Sequence, residues 1–271
     1  MKNRWKMIKA FGRSFPKATT AVVLGLALMV AGSSLVGFHA TGLAREGLAV
    51  SGAAGGSQRR LPVYSVERPD KKISISFDAA WGDEHTKAIL DTLDQYGVKT
   101  TFFLVDFWAQ KYPEDVKEIA ARGHELGNHS STHPDMTKLS KEQMAAELNK
   151  TADTIEAIAG IRPTLFRPPF GSYNNELIQT CEELGYQVIQ WSVDSLDWKD
   201  ITADQIVERV TRNVEPGSIV LFHNNAEHVE EYLPKILKSL TEQGYEIVPV
   251  GQLIYRDQYQ MDHTGKQIPK Q

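Results

Sequence analysis

The stretch Ile73-Ser74-Ile75-Ser76-Phe77 runs directly into Asp78, and a later apolar stretch, Ile219-Val220-Leu221-Phe222, runs into His223. Short apolar runs of this kind are typical of buried strands, so each predicts a strand that ends at a titratable side chain. From about residue 62, similar runs alternate with longer helical patterns. Because such strands pair in parallel through crossover helices, the chain is predicted to be an α/β protein, either an open doubly wound sheet or an α/β barrel.

Apolar periodicity predicts the individual elements, and several helix ends have local causes. Ser140, with Gln143 three residues later, has the pattern of a capping box, and glycines such as Gly160 follow the helical stretches. The predicted strands are residues 72–77, 100–104, 125–128, 164–167, 187–193, 218–222 and 246–248. The predicted helices are residues 83–96, 113–122, 141–159, 174–184, 202–214 and 229–243.

Polar side chains stand where five of the predicted strands end. In an α/β barrel, functional side chains gather at the carboxyl ends of the strands. The sequence therefore predicts one shared mouth, to which five residues contribute: Asp78, His129, Arg167, Asp194 and His223.

His129 and His133 stand four residues apart in the segment 128–133, NHSSTH. On a helical turn or in an irregular loop, this spacing can point two ring nitrogens at one ion, at about 2.0–2.1 Å for zinc. The spacing alone is a weak signal, since surface and core histidines often share it. Beside the other titratable residues at strand ends, both histidines are interpreted as metal ligands. Each would need an acceptor for its second ring N–H.

Asp78 and Arg167 are candidates for one half of a hydrolytic site. Near a divalent metal, a carboxylate can accept a proton from bound water, whose pKa falls from about 15.7 towards about 7. Asp78 fits that role, although an aspartate at a strand end also commonly caps its own turn. The segment 167–171, RPPFG, is stiff because of its two prolines. Arg167 is accordingly either part of a structural turn or the residue that orients Asp78 and keeps it ionised.

The segment 194–198, DSLDW, and His223 are candidates for the other half. An indole beside a carboxylate offers an apolar wall for a substrate methyl group, and the carboxylate can change the pKa of a neighbouring histidine. Either residue alone is more often structural. A histidine, with an ordinary pKa of about 6.5 that a nearby carboxylate raises, can protonate a leaving amine near neutral pH.

In combination, these segments resemble the NodB-type polysaccharide deacetylases, carbohydrate esterase family 4. The five motifs of that family appear in order at residues 76–79, 129–133, 167–171, 194–198 and 219–224, and the resemblance covers roughly residues 70–252. It implies a distorted (β/α) barrel of the NodB homology type, in one catalytic domain, with one divalent metal ion, commonly zinc. The implied roles are Asp78 as base, His129 and His133 as metal ligands, Arg167 orienting Asp78, Asp197 tuning the acid His223, and Trp198, Pro169 and Phe170 contacting substrate.

The first motif departs from the family pattern. The family usually carries two consecutive aspartates there, the second binding metal, but this chain has Ala79 at the second position. Asp83, in the following loop, is predicted either to replace that ligand or to cap the helix from Glu84 onward. The form FDAAWGDE at residues 77–84 is similar to that of a subgroup of sporulation-associated peptidoglycan deacetylases.

The first 44 residues differ from the rest of the chain. They carry six basic and no acidic residues, and residues 18–38 are free of charge over 21 positions, close to the ~20 needed to cross a bilayer. This pattern predicts an export signal or a membrane anchor in residues 1–44, with the basic end in the cytoplasm. A flexible linker is predicted at 45–61, the deacetylase domain at 62–256, and a polar C-terminal tail at 257–271. Cys181 is the single cysteine, so no intrachain disulfide is possible.

Charge narrows the class of substrate. Residues 45–271 contain 24 basic and 34 acidic residues, a net formal charge of −10, which argues against nucleic acid as a partner. The resemblance implies a protein that removes N-acetyl groups from a polysaccharide such as peptidoglycan, and with the export pattern we expect it to be a monomeric extracytoplasmic bacterial protein, anchored or secreted. Two alternatives remain open: a glycan-binding pseudoenzyme, and an amidohydrolase acting on small cyclic amides.

Overall fold

A computed structural model describes residues 59–199 and 201–270. The predicted export segment and most of the predicted linker lie outside these residues. In the part that is described, no helix combines the length and apolar character needed to span a bilayer.

The strands are β1 Ser65–Val66, β2 Lys72–Ala79, β3 Thr101–Leu104, β4 Glu125–Asn128, β5 Leu165–Phe166, β6 Gln187–Val188, β7 Val193–Asp194, β8 Ile219–His223, β9 Glu246–Ile247, β10 Tyr259–Met261 and β11 Lys266–Pro269. The helices are α1 Thr86–Gln95, α2 Asp106–Lys111, α3 Pro113–Ala121, α4 Lys141–Ala159, α5 Asn175–Glu183, α6 Ala203–Asn213, α7 Val229–Glu242 and α8 Val250–Leu253.

The main sheet is parallel, and its longest strand, β2, pairs with β3 on one side and β8 on the other. Its strands follow the order β6-β5-β4-β3-β2-β8-β7, and β9 pairs with the start of β2. All of these pairings are parallel, as the alternation of strands and helices predicts. The fold is an α/β fold in which the sheet curls into a half-barrel.

Chain connectivity forces this curl. Strands β6 and β7 lie at opposite ends of the sheet, yet only five peptide steps separate Val188 from Val193. Five residues span at most about 18 Å, whereas the edges of a flat seven-stranded sheet would lie about 29 Å apart. The two edges are therefore drawn towards each other without pairing. The segment 187–193, predicted as one strand, is for the same reason two short strands, with Ile189 bridging to Val63 between them.

Alternating residues of β2 explain how the sheet is covered. Ile73, Ile75 and Phe77 are completely buried in the apolar cluster between the sheet and the outer helices. A second apolar cluster, which includes Phe103, Leu165 and Ile219, fills the interior of the curl. Because side chains alternate between the faces of a strand, Asp78 points to the same side as Phe103, its partner in β3.

The capping signals read from the sequence operate in the structure. Ser140 and Gln143 form both hydrogen bonds of a capping box at the start of α4, and Thr202 and Gln205 do the same at α6. Gly160 ends α4 in the left-handed conformation. Helices α2 and α8 and the strands β1, β10 and β11 were not predicted from the sequence.

The stretch 257–271, predicted as a polar tail, forms a hairpin within the described residues. Strand β11 pairs in parallel with β1 and antiparallel with β10. Gln267 of β11 is completely buried, and its amide exchanges two hydrogen bonds with the backbone of Tyr255, at 2.8 and 2.9 Å. Ordered contacts therefore extend beyond residue 256. The polar composition misled the prediction because backbone pairing, which composition does not reveal, holds the hairpin.

Candidate active site

The carboxyl ends of the parallel strands surround one cleft of about 500 Å³. Asp78 and His223 stand opposite each other in the register of β2 and β8. His129 follows β4 directly, and Asp194 ends β7. These four residues line the cleft, while Arg167 lies beneath it with no exposed surface. The predicted shared mouth is confirmed in its geometry, since parallel strands all present their carboxyl ends on one edge.

Asp78 is held by an arginine from a distant strand. Arg167 Nη1 donates a hydrogen bond to Asp78 Oδ1 at 2.8 Å, and His129 Nε2 lies 3.5 Å from Asp78 Oδ2. Burial by itself raises the pKa of the Asp78 carboxyl, but the positive charge of Arg167, with smaller contributions from His129 and His223, outweighs it and leaves the pKa below its usual value. Asp78 is therefore a carboxylate near neutral pH.

Contacts with Phe103 and Gln190 restrict the orientation of the Arg167 guanidinium. Its Cζ lies 4.1 Å from the centre of the Phe103 ring, and Nη2 donates to the carbonyl oxygen of Gln190 at 3.3 Å. Gly127 is required for this arrangement, because a Cβ at that position would lie 2.4 Å from a carbon of the Phe103 ring. These contacts hold the guanidinium with Nη1 facing Asp78.

His129 and His133 lie side by side at the cleft. Their ring centroids are 4.9 Å apart. His129 Nδ1 lies 2.7 Å from the carbonyl oxygen of Arg167, so it is the donor in that hydrogen bond and Nε2 faces the cleft without its proton. Burial lowers the pKa of His129, and it lowers the pKa of His133 to about 4. Both rings are therefore neutral near pH 7, which is the form that binds a metal.

A carboxylate on helix α4 holds the loop between the two histidines. Glu147 accepts hydrogen bonds from the backbone N–H groups of Ser131 and Thr132, at 2.8 and 2.7 Å, and from the Thr132 hydroxyl at 2.9 Å. Ser130 and His133 both have positive φ, at 69° and 56°, which is unfavourable for residues other than glycine. Glu147 thus supports a strained loop.

The start of helix α2 braces the same loop from the other side. Asp106 is 1% exposed; it accepts a hydrogen bond from the Ser131 hydroxyl at 3.0 Å and contacts Thr154 and Lys150 of α4. The sequence analysis missed both Glu147 and Asp106. No local signal marks them, because each lies in a helix and acquires its partner only through tertiary packing.

The metal predicted from the two histidines has only part of its ligand set. Among residues 59–199 and 201–270, no group of three or more histidine, cysteine, aspartate or glutamate side chains is arranged to hold a metal ion. Two neutral imidazoles that face one cleft do suit a borderline divalent cation. The donor set therefore fits a divalent ion that His129 and His133 would hold.

Asp83, the predicted replacement ligand, is not among the residues that line the cleft. Its negative charge acts on Asp115 instead, whose pKa is raised first by burial and then by Asp83. The cap alternative is wrong, because α1 begins at Thr86 with His85 as its N-cap, and Asp83 contributes only its backbone carbonyl. A ligand role for Asp83 stays a prediction that this position does not favour.

Ala79, where the family usually has its metal-binding aspartate, is completely buried. Its methyl group belongs to the apolar cluster between the sheet and the helices. Asp78 and Ala79 are neighbours in β2 and therefore point to opposite faces of the sheet. The departure in the first motif is thus a change from a carboxylate to an apolar packing contact.

His223 is held by a carboxylate of its own. Asp197 Oδ1 lies 2.7 Å from His223 Nδ1, and Asp197 Oδ2 accepts hydrogen bonds from the His223 backbone N–H and the Tyr232 hydroxyl, both at 2.8 Å. Burial lowers the pKa of His223, but the charge of Asp197 and its hydrogen bond outweigh burial, so the pKa is raised above 6.5. The predicted contact between Asp197 and His223 is present, and Nε2 is left for the cleft.

Aromatic side chains form the walls of the cleft. Trp198 and Phe170 line it and are 58% and 69% exposed. Pro169, predicted with them as a substrate contact, is buried and does not line the cleft, whereas Pro168 does. The sequence analysis also did not assign a role to Trp191 or Trp81, which line the cleft as well.

Known proteins resemble this chain over most of the described residues. Residues 65–189 match the polysaccharide deacetylase family. The chain is 39% identical over 194 residues to the peptidoglycan N-acetylmuramic acid deacetylase PdaC of Bacillus subtilis, which covers 71% of the chain and 41% of PdaC. It is 36% identical over 191 residues to a peptidoglycan N-acetylglucosamine deacetylase of Bacillus cereus, covering 68% of the chain and 70% of that protein.

A solved structure shares the fold as well as the sequence. The wild-type carbohydrate esterase family 4 pseudoenzyme from Bacillus anthracis superposes with a TM-score of 0.69 at 32% identity, over 78% of this chain and 73% of that one. The matched region spans less than half of PdaC, so the activity of the whole PdaC protein is not assigned to this chain. The sequence identity, the shared fold and the five ordered motifs together place this chain in the polysaccharide deacetylase family, carbohydrate esterase family 4.

Proposed function

We propose that the protein removes N-acetyl groups from an extracellular glycan of the peptidoglycan type. The proposal rests on the arrangement of Asp78 and His223, which stand side by side on neighbouring strands at one cleft, each held by its own buried partner. Hydrolysis of an amide needs a base for the attacking water and an acid for the departing amine. The two residues supply that pair.

Asp78 acts as the base. Arg167 presents the carboxylate in one orientation and keeps it ionised, so that its second oxygen is available to accept a proton from the attacking water. A metal ion held by His129 and His133 would lower the pKa of water and stabilise the charge that develops on the acetamide oxygen. We propose zinc, because two imidazole nitrogens are ligands that it prefers.

His223 acts as the acid. Asp197 holds Nδ1 and raises the pKa, so the ring carries its second proton to a higher pH than a free histidine does. Nε2 can then donate a proton to the amine nitrogen as the C–N bond breaks. Trp198 and Phe170 provide apolar walls against which an acetyl methyl group can pack.

The named relatives support a peptidoglycan substrate but differ in the sugar. PdaC is named for N-acetylmuramic acid, and the Bacillus cereus protein is named for N-acetylglucosamine. We propose a peptidoglycan amino sugar without choosing between them. The charge pattern of residues 1–44 supports an extracytoplasmic location, anchored or secreted, and the form of the first motif supports a role in sporulation.

A second candidate function is that of a glycan-binding pseudoenzyme. Ala79 removes a carboxylate from the usual ligand set, and a family member described as a pseudoenzyme superposes on this chain. In that case the cleft would bind glycan, but metal affinity and hydrolysis would be lost.

Acetate release from purified peptidoglycan, measured together with metal content, separates the two functions. We expect about one equivalent of divalent metal and steady acetate release from the wild-type protein. Asp78→Asn should retain the metal and slow acetate release by about 10²–10⁴-fold. Replacement of His129 and His133 by Ala should abolish both metal binding and activity. Wild-type protein that binds glycan but takes up no metal and releases no acetate would establish the pseudoenzyme instead.

A further inference from the structure

Two exposed aromatic side chains stand together at one edge of the cleft. Trp81, in the loop after β2, is 56% exposed, and Phe107, in α2, is 39% exposed. Their ring centroids are 6.2 Å apart, and the planes are tilted by 50°. Trp81 lines the cleft, so this pair continues the apolar surface of the cleft outward from the histidines.

Buried contacts fix the backbone that carries both rings. The carbonyl oxygen of Gly82, next to Trp81, accepts hydrogen bonds from the indole of Trp108 at 2.6 Å and from the amide of Asn224 at 2.8 Å. Gly82 has a φ of +64°, a conformation that glycine adopts without strain. Phe107 follows Asp106, whose buried carboxylate is bonded to helix α4. The two rings are therefore held out towards solvent by a rigid backbone.

Packing inside the protein explains only part of this arrangement. The Trp81 ring contacts the His133 ring edge-on at 5.0 Å, so one function of Trp81 is to cover that histidine. Phe107 is not among the residues that line the cleft, and within residues 59–199 and 201–270 the only aromatic ring that it contacts is that of Trp81. A rigid apolar surface next to a cleft is characteristic of a ligand-binding site.

We propose that Trp81 and Phe107 form a stacking platform for a second sugar ring, beside the sugar that is deacetylated. This inference rests on the proposed function for its class of ligand, and it assigns Trp81 and Phe107 to the sugar next to the one that is deacetylated. The apolar face of a pyranose ring can pack on exposed aromatic rings, which provide large contact areas at little cost in conformational entropy. The reacting sugar would lie over the histidines, with its neighbour in the chain over the platform.

Binding by a protein that cannot turn substrate over tests the platform directly. Full-length Asp78→Asn protein would be titrated by calorimetry with N-acetylglucosamine and with its β-1,4-linked dimer and tetramer. We expect affinity to rise about tenfold from the monomer to the tetramer. Adding Phe107→Ala, or Trp81→Ala, should remove most of that gain, and Trp81→Phe should restore part of it. Ile161→Ala is the matched control, because Ile161 is apolar, 41% exposed and does not line the cleft.

The outcomes separate the platform from the deacetylase activity. If Phe107→Ala binds the tetramer as tightly as its parent does, or if the tetramer binds no better than the monomer, the platform is wrong, whatever acetate release shows. If the gain with chain length depends on Phe107 while the wild-type protein releases no acetate, the platform stands and the proposed hydrolysis fails. A loss of affinity in Ile161→Ala equal to that in Phe107→Ala would also overturn the platform, since the effect would then be unspecific.

Discussion

At the scale of single residues, the two halves of the cleft differ in how their charge is set. Asp78 is ionised because a buried arginine outweighs the cost of its own burial. His223 gains its raised pKa from Asp197, which lies 2.7 Å away and is itself held by Tyr232. Each reactive group therefore has a partner that does not reach the substrate. Removing such a partner should change the pH dependence of the reaction more than it changes the fold.

Asp197→Asn should lower the pH at which activity is lost on the alkaline side. The acid must be protonated, and Asp197 raises the pKa of His223, so activity persists below that raised pKa and falls as the pH rises through it. Without the negative charge of Asp197, His223 should lose its proton at lower pH. The alkaline limb of acetate release against pH should then shift down, and turnover should fall. Asp204→Asn, which changes an exposed carboxylate bonded to Lys235, is the control. An unchanged alkaline limb in Asp197→Asn would mean that His223 is not the acid.

At the scale of elements, the histidine loop is positioned by helices that contribute no reacting group. Helix α4 provides Glu147 and helix α2 provides Asp106, and between them they satisfy the backbone and hydroxyl groups of residues 131–132. The loop includes two left-handed residues, a conformation that costs about 1–3 kcal/mol at each non-glycine position. We infer that hydrogen bonds to Glu147 offset this cost.

Glu147→Ala should therefore weaken metal binding without changing a ligand. Loss of a group that orients a ligand typically reduces metal affinity by about 10–100-fold. Glu147→Gln retains an acceptor oxygen and should lie between the wild-type protein and Glu147→Ala. Affinity for zinc, measured by competition with a chelator, is the readout. Glu156→Ala is the control on the same helix, since its recorded partner is the exposed Arg162. Equal zinc affinity in Glu147→Ala and Glu156→Ala would show that the loop keeps its shape without Glu147.

At the scale of the whole described domain, the C-terminal hairpin covers the end of the sheet opposite the cleft. Strand β1, to which β11 pairs, lies against the start of β8 through a bridge between Ser65 and Ser218. Through this pairing, β1 near the start of the described residues and β11 near their end are both connected to the main sheet. Its contribution should appear in stability and not in catalysis, because the cleft lies at the carboxyl ends of the strands.

Gln267→Ala should lower the free energy of unfolding by about 1–3 kcal/mol, since it leaves the backbone N–H and carbonyl of Tyr255 without their side-chain partner. Urea denaturation followed by tryptophan fluorescence measures the change. Gln260→Ala, at an exposed position of the neighbouring strand, should be close to neutral. Acetate release per folded molecule should be the same in both variants. A Gln267→Ala protein as stable as Gln260→Ala would show that water replaces the lost hydrogen bonds.

Local patterns in the sequence were enough to predict the strands and helices of the main α/β alternation, the cap of α4, and the residues that stand at the ends of the strands. These features depend on local patterns: apolar runs, capping pairs and the polar residue that follows a run. The family resemblance added roles for those residues and the curled architecture, which composition alone left open between two α/β folds.

Tertiary structure alone decided which of those residues meet. Arg167 reaches Asp78 across 89 positions of the chain, Glu147 reaches the histidine loop from a separate helix, and Asp83 is not among the residues that line the cleft. Ala79 joins the apolar layer because a strand alternates its faces, and the polar C-terminal segment is ordered because its backbone finds a partner strand. A local pattern specifies where a side chain stands along its own element, whereas the curl of the sheet and the packing of the helices specify what that side chain contacts.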